Sequence, residues 1–541
     1  MNEFIENVRQ KLTVKVTTFI LLLSGYFAFV LNQPVIGKIF ALGSTVPDWW
    51  FPYTAPILLL AAFVIIYSLF AIPYLIKPFA IFLVLTSAAA LYASQTFQVM
   101  FDMTMMENLF ETNSAEASFY INGTSLLFVL LYGVLPSIVI ALVRFEYRST
   151  LGQELFSRIV LVISALLVIL MIVASSYKNY ASVGRNNHYL NKMIIPAHVF
   201  NGVKYIKRTY LSTPLEYKQI GDDAELIAND NGKPTMMIFI LGETARGMNY
   251  AYNGYHRETN PYTQNQGFIS LADVQSCGTY TALSVPCMFS NMTRENYNKE
   301  RAYNQDNVLD VIAKAGVEVL WVENDGGDKG VAKRLPKVKI DPKQKVENCN
   351  GITCYDAEML RHIDNFLAGD DVKNRLLVLH GIGSHGPTYW QRYPKAMARY
   401  TPSCDRSDIE KCSDEEIRNV YDNTIAYTDY VTSKLVEKLE NYSDKYNVAL
   451  MYISDHGESL GENGLYLHGT PYAIAPKEQT TVPWLIWMPQ QYAEQKHIDP
   501  GCLEGQTQVT HDNLFHTLLG LYGVKTAAKQ SDLDLTARCS V

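Results

Sequence analysis

Four short segments of the sequence end in side chains that can do chemistry. "TMMIFIL" (235–241) runs into "GETAR" with Glu243, and "VEVLWV" (317–322) into "ENDGGDKG" with Asp325 and Lys329. "RLLVLH" (375–380) runs into "GIGSHG" with His385, and "NVALMYIS" (447–454) into "DHGESLG" with Asp455 and His456. Glu243, Asp455 and His456 make an oxygen and nitrogen donor set that zinc accepts while leaving one position for a reacting group. A hydroxyl bound at that position loses its proton more readily and becomes a nucleophile near neutral pH. The segment "QSCGTYTALSVPCMFS" (275–290) offers such hydroxyls between Cys277 and Cys287: Thr279, Tyr280, Thr281 and Ser284. Thr281, followed by "ALSV", can also open a helix whose first amides hold an anionic phosphate. Singly, each residue has an ordinary reading. Glu243 would be a cap or ion-pair partner, Asp-His-Gly a turn, and His385 or His468 a surface or core histidine. Their convergence on strand ends points to a site.

The elements that must position these residues can be read from the pattern. The four apolar runs have the length and composition of buried strands, and helical patterns lie between them. "SDEEIRNVYDNTIAYTDYVTSKLVEKLENY" opens with a capping box, Ser413 to Glu416, and continues with a helical period. Strands alternating with helices predict a parallel sheet covered on both faces. Such a sheet binds ligands at the carboxyl ends of its strands, where these side chains stand.

The N-terminal third is different in kind. Within a chain of 541 residues and formal charge -7, the stretches 16–37, 51–76, 78–101, 117–143 and 159–177 contain no Asp, Glu, Lys or Arg. Each is about long enough to cross a bilayer as a helix. Arg9, Lys11 and Lys15 precede the first stretch. Lys77 follows the second, and Arg144, Arg148 and Arg158 follow the fourth. The third loop carries Asp102, Glu107, Glu111 and Glu116 and no basic residue. The positive-inside rule places the N-terminus in the cytoplasm and everything after Tyr177 outside. The first stretch lacks an A-x-A-like cleavage site and reads as a retained helix. All eleven histidines fall at or beyond His188, so the apolar part has no imidazole for chemistry.

All eight cysteines follow the last apolar stretch, and an even number outside the cytoplasm suggests disulfides. Sequence neighbours form natural couples: Cys277 with Cys287, Cys349 with Cys354, and Cys404 with Cys412. Cys502 and Cys539 remain as a fourth candidate pair. No C-x2-C pair is present, which argues against a structural zinc–thiolate cluster. The expected domains are a five-helix transmembrane domain over 1–177, a connector over 178–232 and a catalytic domain over 233–541. The connector contains "HVFNGVKYIKRTYL", where Val199, Val203, Ile206 and Tyr210 share one helical face and Lys204, Lys207 and Arg208 are polar. This pattern suits either a helix lying on a membrane surface or an ordinary packing helix.

At "GETAR", "SCGTYTALSVPCMFS", "SHGPTYWQRYP" and "SDHGESLGENGLYLHGTPYAIAPKEQTTVP" the sequence resembles the bacterial phosphoethanolamine transferases that modify lipid A. That family includes the mobilised colistin resistance enzymes, and the likeness runs along nearly the full chain. It implies five transmembrane helices joined to an α/β periplasmic domain of the alkaline phosphatase and sulfatase type, anchored in the inner membrane. It implies zinc, one ion with room for a second, held by Glu243, Thr281, Asp455 and His456. Thr281 becomes the nucleophile that takes phosphoethanolamine from phosphatidylethanolamine and passes it to lipid A. His385, His468 and Lys329 fall on positions that line the substrate phosphate or a second metal, and Thr279 on a substrate contact. Some relatives carry a further cysteine pair where this chain has Asp328 and Ala332.

Other readings of the same residues differ in reaction or class. A core heptose or a periplasmic glucan is an alternative acceptor, and a membrane-anchored phosphatase keeps the fold with water as acceptor. A sulfatase needs a C/S-x-P-x-R setting, which Pro286 and Cys287 do not provide. A transporter needs charged groups within the spans, and a sensor with a dead enzyme domain would not need the full ligand set. The expected partners are the two lipids and the surrounding membrane, with no nucleic acid, and the expected state is a monomer.

Overall fold

The computed structural model describes residues 10–43, 48–112, 114–213, 215–367 and 372–541. Arg9 lies outside the described residues, and the side chain of Glu116 is not described. The chain divides into two compact units. One comprises Met1–Glu107 with Ile121–Leu211, and the other Asn108–Tyr120 with Ser212–Val541.

Among the described residues of the first unit, four helices are long and apolar enough to cross a membrane, or five if one bent pair is a single span. The four are α3 (Phe51–Leu69), α4 (Ile76–Phe97), α5 (Gly123–Leu142) and α6 (Leu151–Asn186). The first predicted span is instead a pair, α1 (Val16–Leu31) and α2 (Gln33–Gly43), bent by 61°. Pro34 has no N–H to continue the ladder, so a break here is expected. Asn32 occupies the break. Its amide donates to the Phe27 carbonyl (2.9 Å) and the Ile195 carbonyl (2.8 Å), and its oxygen accepts from the Ile195 N–H (2.9 Å). Helix α6 continues past Tyr177 to Asn186, and α7 covers Ala197–Tyr210. On α7, His198, Gly202 and Tyr205 are buried, while Phe200, Val203, Ile206 and Tyr210 are exposed. Of the predicted apolar face, Val203, Ile206 and Tyr210 are therefore exposed, while Val199 is partly buried against the helix core.

The second unit is built on a seven-stranded sheet. In chain order its strands are β1 (Thr235–Gly242), β2 (Phe268–Gln275), β3 (Glu318–Glu323), β4 (Lys337–Lys339), β5 (Arg375–His380), β6 (Asn447–Ser454) and β7 (Thr481–Trp487). Their order across the sheet is β2-β7-β6-β1-β5-β3-β4. The five strands from β6 to β4 are parallel, as the pattern predicts. Strand β7 runs antiparallel to both β6 and β2, so the sheet is mixed. The reason is the connection: β6 returns into β7 through the "DHGESLG" loop and short turns rather than a long crossover helix, and a parallel pair needs such a crossover. The register of β7 against β2 shifts between Val482 and Trp484, around Pro483, which has no ladder donor.

Strand side chains alternate between faces. Met237, Phe239 and Leu241 of β1 join one core with α9 (Val308–Lys314) and α11 (Leu514–Tyr522). Ile240 lies beside Val431 and Leu435 of α10 (Asp414–Glu440) on the other face. Helix α10 begins with the expected capping box, Ser413 and Glu416 bonding reciprocally. The four cysteine couples are all joined: 277–287, 349–354, 404–412 and 502–539. Part of an inter-helix loop also belongs to this unit, with Glu111 paired to Lys299 (3.0 Å) and Arg392 over the Phe119 ring (5.1 Å).

Candidate metal and phosphate centre

Strand β1 is central in the sheet, between β6 and β5. Glu243 follows it directly and is fully buried at the sheet's carboxyl edge. The turn after Glu243 is held from α10, where the Tyr421 hydroxyl donates to the Thr244 carbonyl (2.8 Å) and accepts from the Arg246 N–H (2.9 Å). Gly383, in the turn after β5, takes φ +47° and packs on the Glu243 backbone, where an added Cβ would meet the Glu243 carbonyl at 2.7 Å. A side chain there would push Glu243 out of place.

Thr281 stands at the first position of α8 (Thr281–Met288), as the sequence suggests. Its hydroxyl lies 3.1 and 3.3 Å from the two Glu243 carboxylate oxygens and 3.3 Å from His456 Nε2. Asp455 and His456 follow β6. Asp455 Oδ1 accepts two backbone amides, Thr244 (3.1 Å) and His456 (2.7 Å). Its Oδ2 is buried without a hydrogen-bond partner and lies 3.3 Å from His456 Nε2. His456 Nδ1 donates to the Gly457 carbonyl (2.8 Å), which leaves the Nε2 lone pair facing Thr281 and the carboxylates. Glu243, Asp455 and His456 can each place one ligand atom in a group whose members all lie within 4.8 Å of one another. The four predicted ligands are therefore brought together.

The electrostatics call for a cation. Burial and the Glu243 charge push the Asp455 carboxyl well above its ordinary value. Burial acts the same way on Glu243, but the hydrogen bond and charge of His380 hold it well below its ordinary value. Two such carboxylates in a dry site keep a proton between them, and a bound cation takes the place of that proton. Burial, with His468 beside it, lowers His456 to about 3, so it stays the neutral imidazole that a metal needs. Zinc fits this donor set.

The remaining predicted residues border the cluster. The His468 ring lies 4.6 Å from the His456 ring and 5.6 Å from that of His385. Glu458, fully buried, accepts from His468 Nδ1 (3.3 Å). His385 Nδ1 faces the Gly386 carbonyl at 2.9 Å. Lys329, with φ +44°, adds its positive charge to the surroundings of Asp325. Thr279 donates to the Thr470 carbonyl (2.7 Å) and its own carbonyl accepts from the Gly469 N–H (2.8 Å), which ties down the turn that carries His468.

Asp325, which the strand-end pattern marks, follows β3, and with Glu243 and His380 at the end of β5 it forms a second group of clustered metal-type donors. His380, Glu458 and His511 stand outside the expected set. His511 joins the two halves of the site. Its Nδ1 accepts from the Cys277 N–H (3.1 Å) and its Nε2 donates to the Ser454 carbonyl (3.0 Å). His380 and Glu458 stand at strand ends or in the "DHGESLG" turn, where the rule that picked out Glu243 applies equally. No local pattern marks His511.

A family model described as sulfatase matches residues 235–524, and one described as phosphoethanolamine transferase EptA/EptB matches residues 59–210. The sequence is 39% identical over 495 residues to phosphoethanolamine transferase EptA of Escherichia coli strain K12, covering 90% of this chain and 89% of that protein. It is 37% identical to phosphatidylethanolamine transferase Mcr-1 of Escherichia coli, covering 89% of this chain and 90% of that protein. The structure superimposes on the integral membrane lipooligosaccharide phosphoethanolamine transferase A of Neisseria meningitidis with a TM-score of 0.93 and 34% identity, covering 98% of this chain and 99% of that one. The soluble domain of that Neisseria transferase aligns with 60% of this chain at 39% identity.

Proposed function

The chain belongs to the EptA/EptB phosphoethanolamine transferase family, and from that premise we propose that it moves phosphoethanolamine from phosphatidylethanolamine to a lipid A phosphate by way of Thr281. The carrying observation is the position of one hydroxyl: Thr281 Oγ1 faces both Glu243 oxygens and His456 Nε2 within 3.3 Å, at the first turn of α8. Glu243, Thr281, Asp455 and His456 would hold a zinc ion, which would lower the pKa of that hydroxyl and offset charge on the phosphoryl oxygens.

Thr281 gives up its proton toward the carboxylates facing it and attacks phosphorus in line. The Oγ1–P bond forms as the P–O bond to diacylglycerol breaks. One of His385 and His468 returns a proton to the departing oxygen. The α8 amides, with Lys329, hold the anionic phosphoryl group. A phosphate oxygen of lipid A then attacks the phosphorus of the phosphoethanolamine-threonine; the new O–P bond forms as the Oγ1–P bond breaks, Thr281 recovers its proton from the carboxylate that took it, and the proton of the attacking phosphate restores the imidazole. Thr279 is a further contact for the substrate. The apolar helices hold the chain in the inner membrane with the second unit in the periplasm, where both lipids are available. Each transfer adds a primary amine to lipid A, which reduces its net negative charge and its attraction for cationic polymyxins.

The test is Thr281→Ala in cells, read by lipid A mass spectra. Loss of the added phosphoethanolamine, with zinc content and circular dichroism retained, is the expected result. Continued addition by this variant would overturn the assignment of the nucleophile.

A further inference from the structure

We propose that Glu243 bridges two cations, and that the second is held by Glu243, Asp325 and His380 on the opposite side of the carboxylate from Asp455 and His456. The role given to this ion rests on the phosphoryl-transfer reading, but its existence does not.

The sheet topology makes the site. Glu243 leaves β1 between β6, which supplies Asp455 and His456, and β5, which ends in His380. Its Oε1 lies 3.5 Å from His456 Nε2, and its Oε2 lies 3.9 Å from His380 Nε2. Asp325, carried from the end of β3, places Oδ2 3.9 Å from the same His380 nitrogen. Those separations suit two donors sharing one ion at bonding distances of about 2.0–2.2 Å.

The independent observation is His380 itself. The residue is fully buried, and its Nε2 has no hydrogen-bond partner. Its other nitrogen is fixed: Nδ1 donates to Glu323 Oε2 at 2.9 Å. Glu323 is in turn held by the Trp321 indole N–H (2.9 Å) and the Asp325 backbone amide (2.8 Å). Burial lowers the His380 imidazole, but Glu323, Glu243 and Asp325 hold it well above its ordinary value, so without an ion Nε2 keeps a proton between two carboxylates, and a cation bound there would take that proton's place. Leaving a buried polar nitrogen unpaired is costly, and a cation removes that cost. With three protein ligands the site keeps at least one position for a substrate oxygen. The pair would act as a two-ion clamp on the phosphoryl group, with Glu243 holding both ions.

The experiment uses the full chain in detergent, stripped with a chelator, saturated with zinc chloride and desalted before zinc is counted per chain. Wild type should retain one equivalent more than either His380→Gln or the less buried Asp325→Asn, and Glu243→Ala should lose two. Zinc-edge anomalous scattering from wild-type crystals should show one ion bonded to His380 Nε2 and another to His456 Nε2. Equal counts in wild type and both variants, or no anomalous peak at His380, would overturn the proposal. Loss of a single equivalent in Glu243→Ala would overturn the bridge. Failure of the Thr281 assignment would appear in lipid A spectra and leave these counts unchanged.

Discussion

Glu458 touches none of the four predicted ligands by a hydrogen bond, yet it bonds His468 from a fully buried position. It orients the imidazole rather than meeting substrate, so it is a positioning residue. Glu458→Gln keeps the shape and removes the charge. Outer-shell changes of this kind cost roughly 10- to 100-fold in activity, and transfer should fall by about that factor. Zinc at the Glu243, Asp455 and His456 cluster should be retained, which separates lost positioning from a lost metal. Equal transfer by Glu458→Gln and wild type in a lipid A assay would show that the pair is dispensable.

Among the elements, the stapled loop and β6 depend on each other through His511. Its ring receives the Cys277 amide and donates to the Ser454 carbonyl, one residue before Asp455. Burial holds His511 down to about 3, against an ordinary value of 6.5. The folded state therefore binds fewer protons than the unfolded state below about pH 6.5, and stability falls with acidification at up to about 1.4 kcal/mol per pH unit. Thermal unfolding of the full chain should drop between pH 6.5 and 4, and His511→Gln should flatten that slope while starting from a lower midpoint. A wild-type slope left intact in His511→Gln would assign the acid sensitivity elsewhere. Replacing Cys277 and Cys287 together by serine removes the staple from the same loop. A stability loss of about 2–5 kcal/mol is expected, and transfer should decline more steeply than zinc content, because the loop carries the proposed nucleophile and only one of the four proposed ligands.

At the scale of the whole molecule the chain forms two compact units, the apolar helices in one and the candidate site in the other. A soluble domain of the Neisseria relative aligns with 60% of this chain. Residues 212–541 should accordingly fold alone, with circular dichroism of a mixed α/β protein, and bind zinc. In cells the same fragment should leave lipid A unmodified, because both proposed reactants are embedded lipids. Lipid A modification by the fragment at the full-length rate would remove any need for the apolar helices in catalysis.

The sequence by itself determined the parts whose signal is local. Charge-free stretches announce apolar helices because a bilayer excludes charge. Four strand ends display their ionisable residues because the pattern changes abruptly where each strand stops, and Ser413 with Glu416 marks the start of α10. Glu243, Thr281, Asp455 and His456 could be named together because each belongs to a recognisable motif. Tertiary structure alone decided what depends on adjacency between distant segments. The reversed strand β7 follows from how the chain returns after β6, and although Pro34 marks a break after Leu31, it is the Ile195 backbone that Asn32 finds there. The placement of β1 between β5 and β6 set Glu243 against His380 as well as His456. No spacing along the chain encodes which strands become neighbours, so the second face of that carboxylate became visible only once the sheet was assembled.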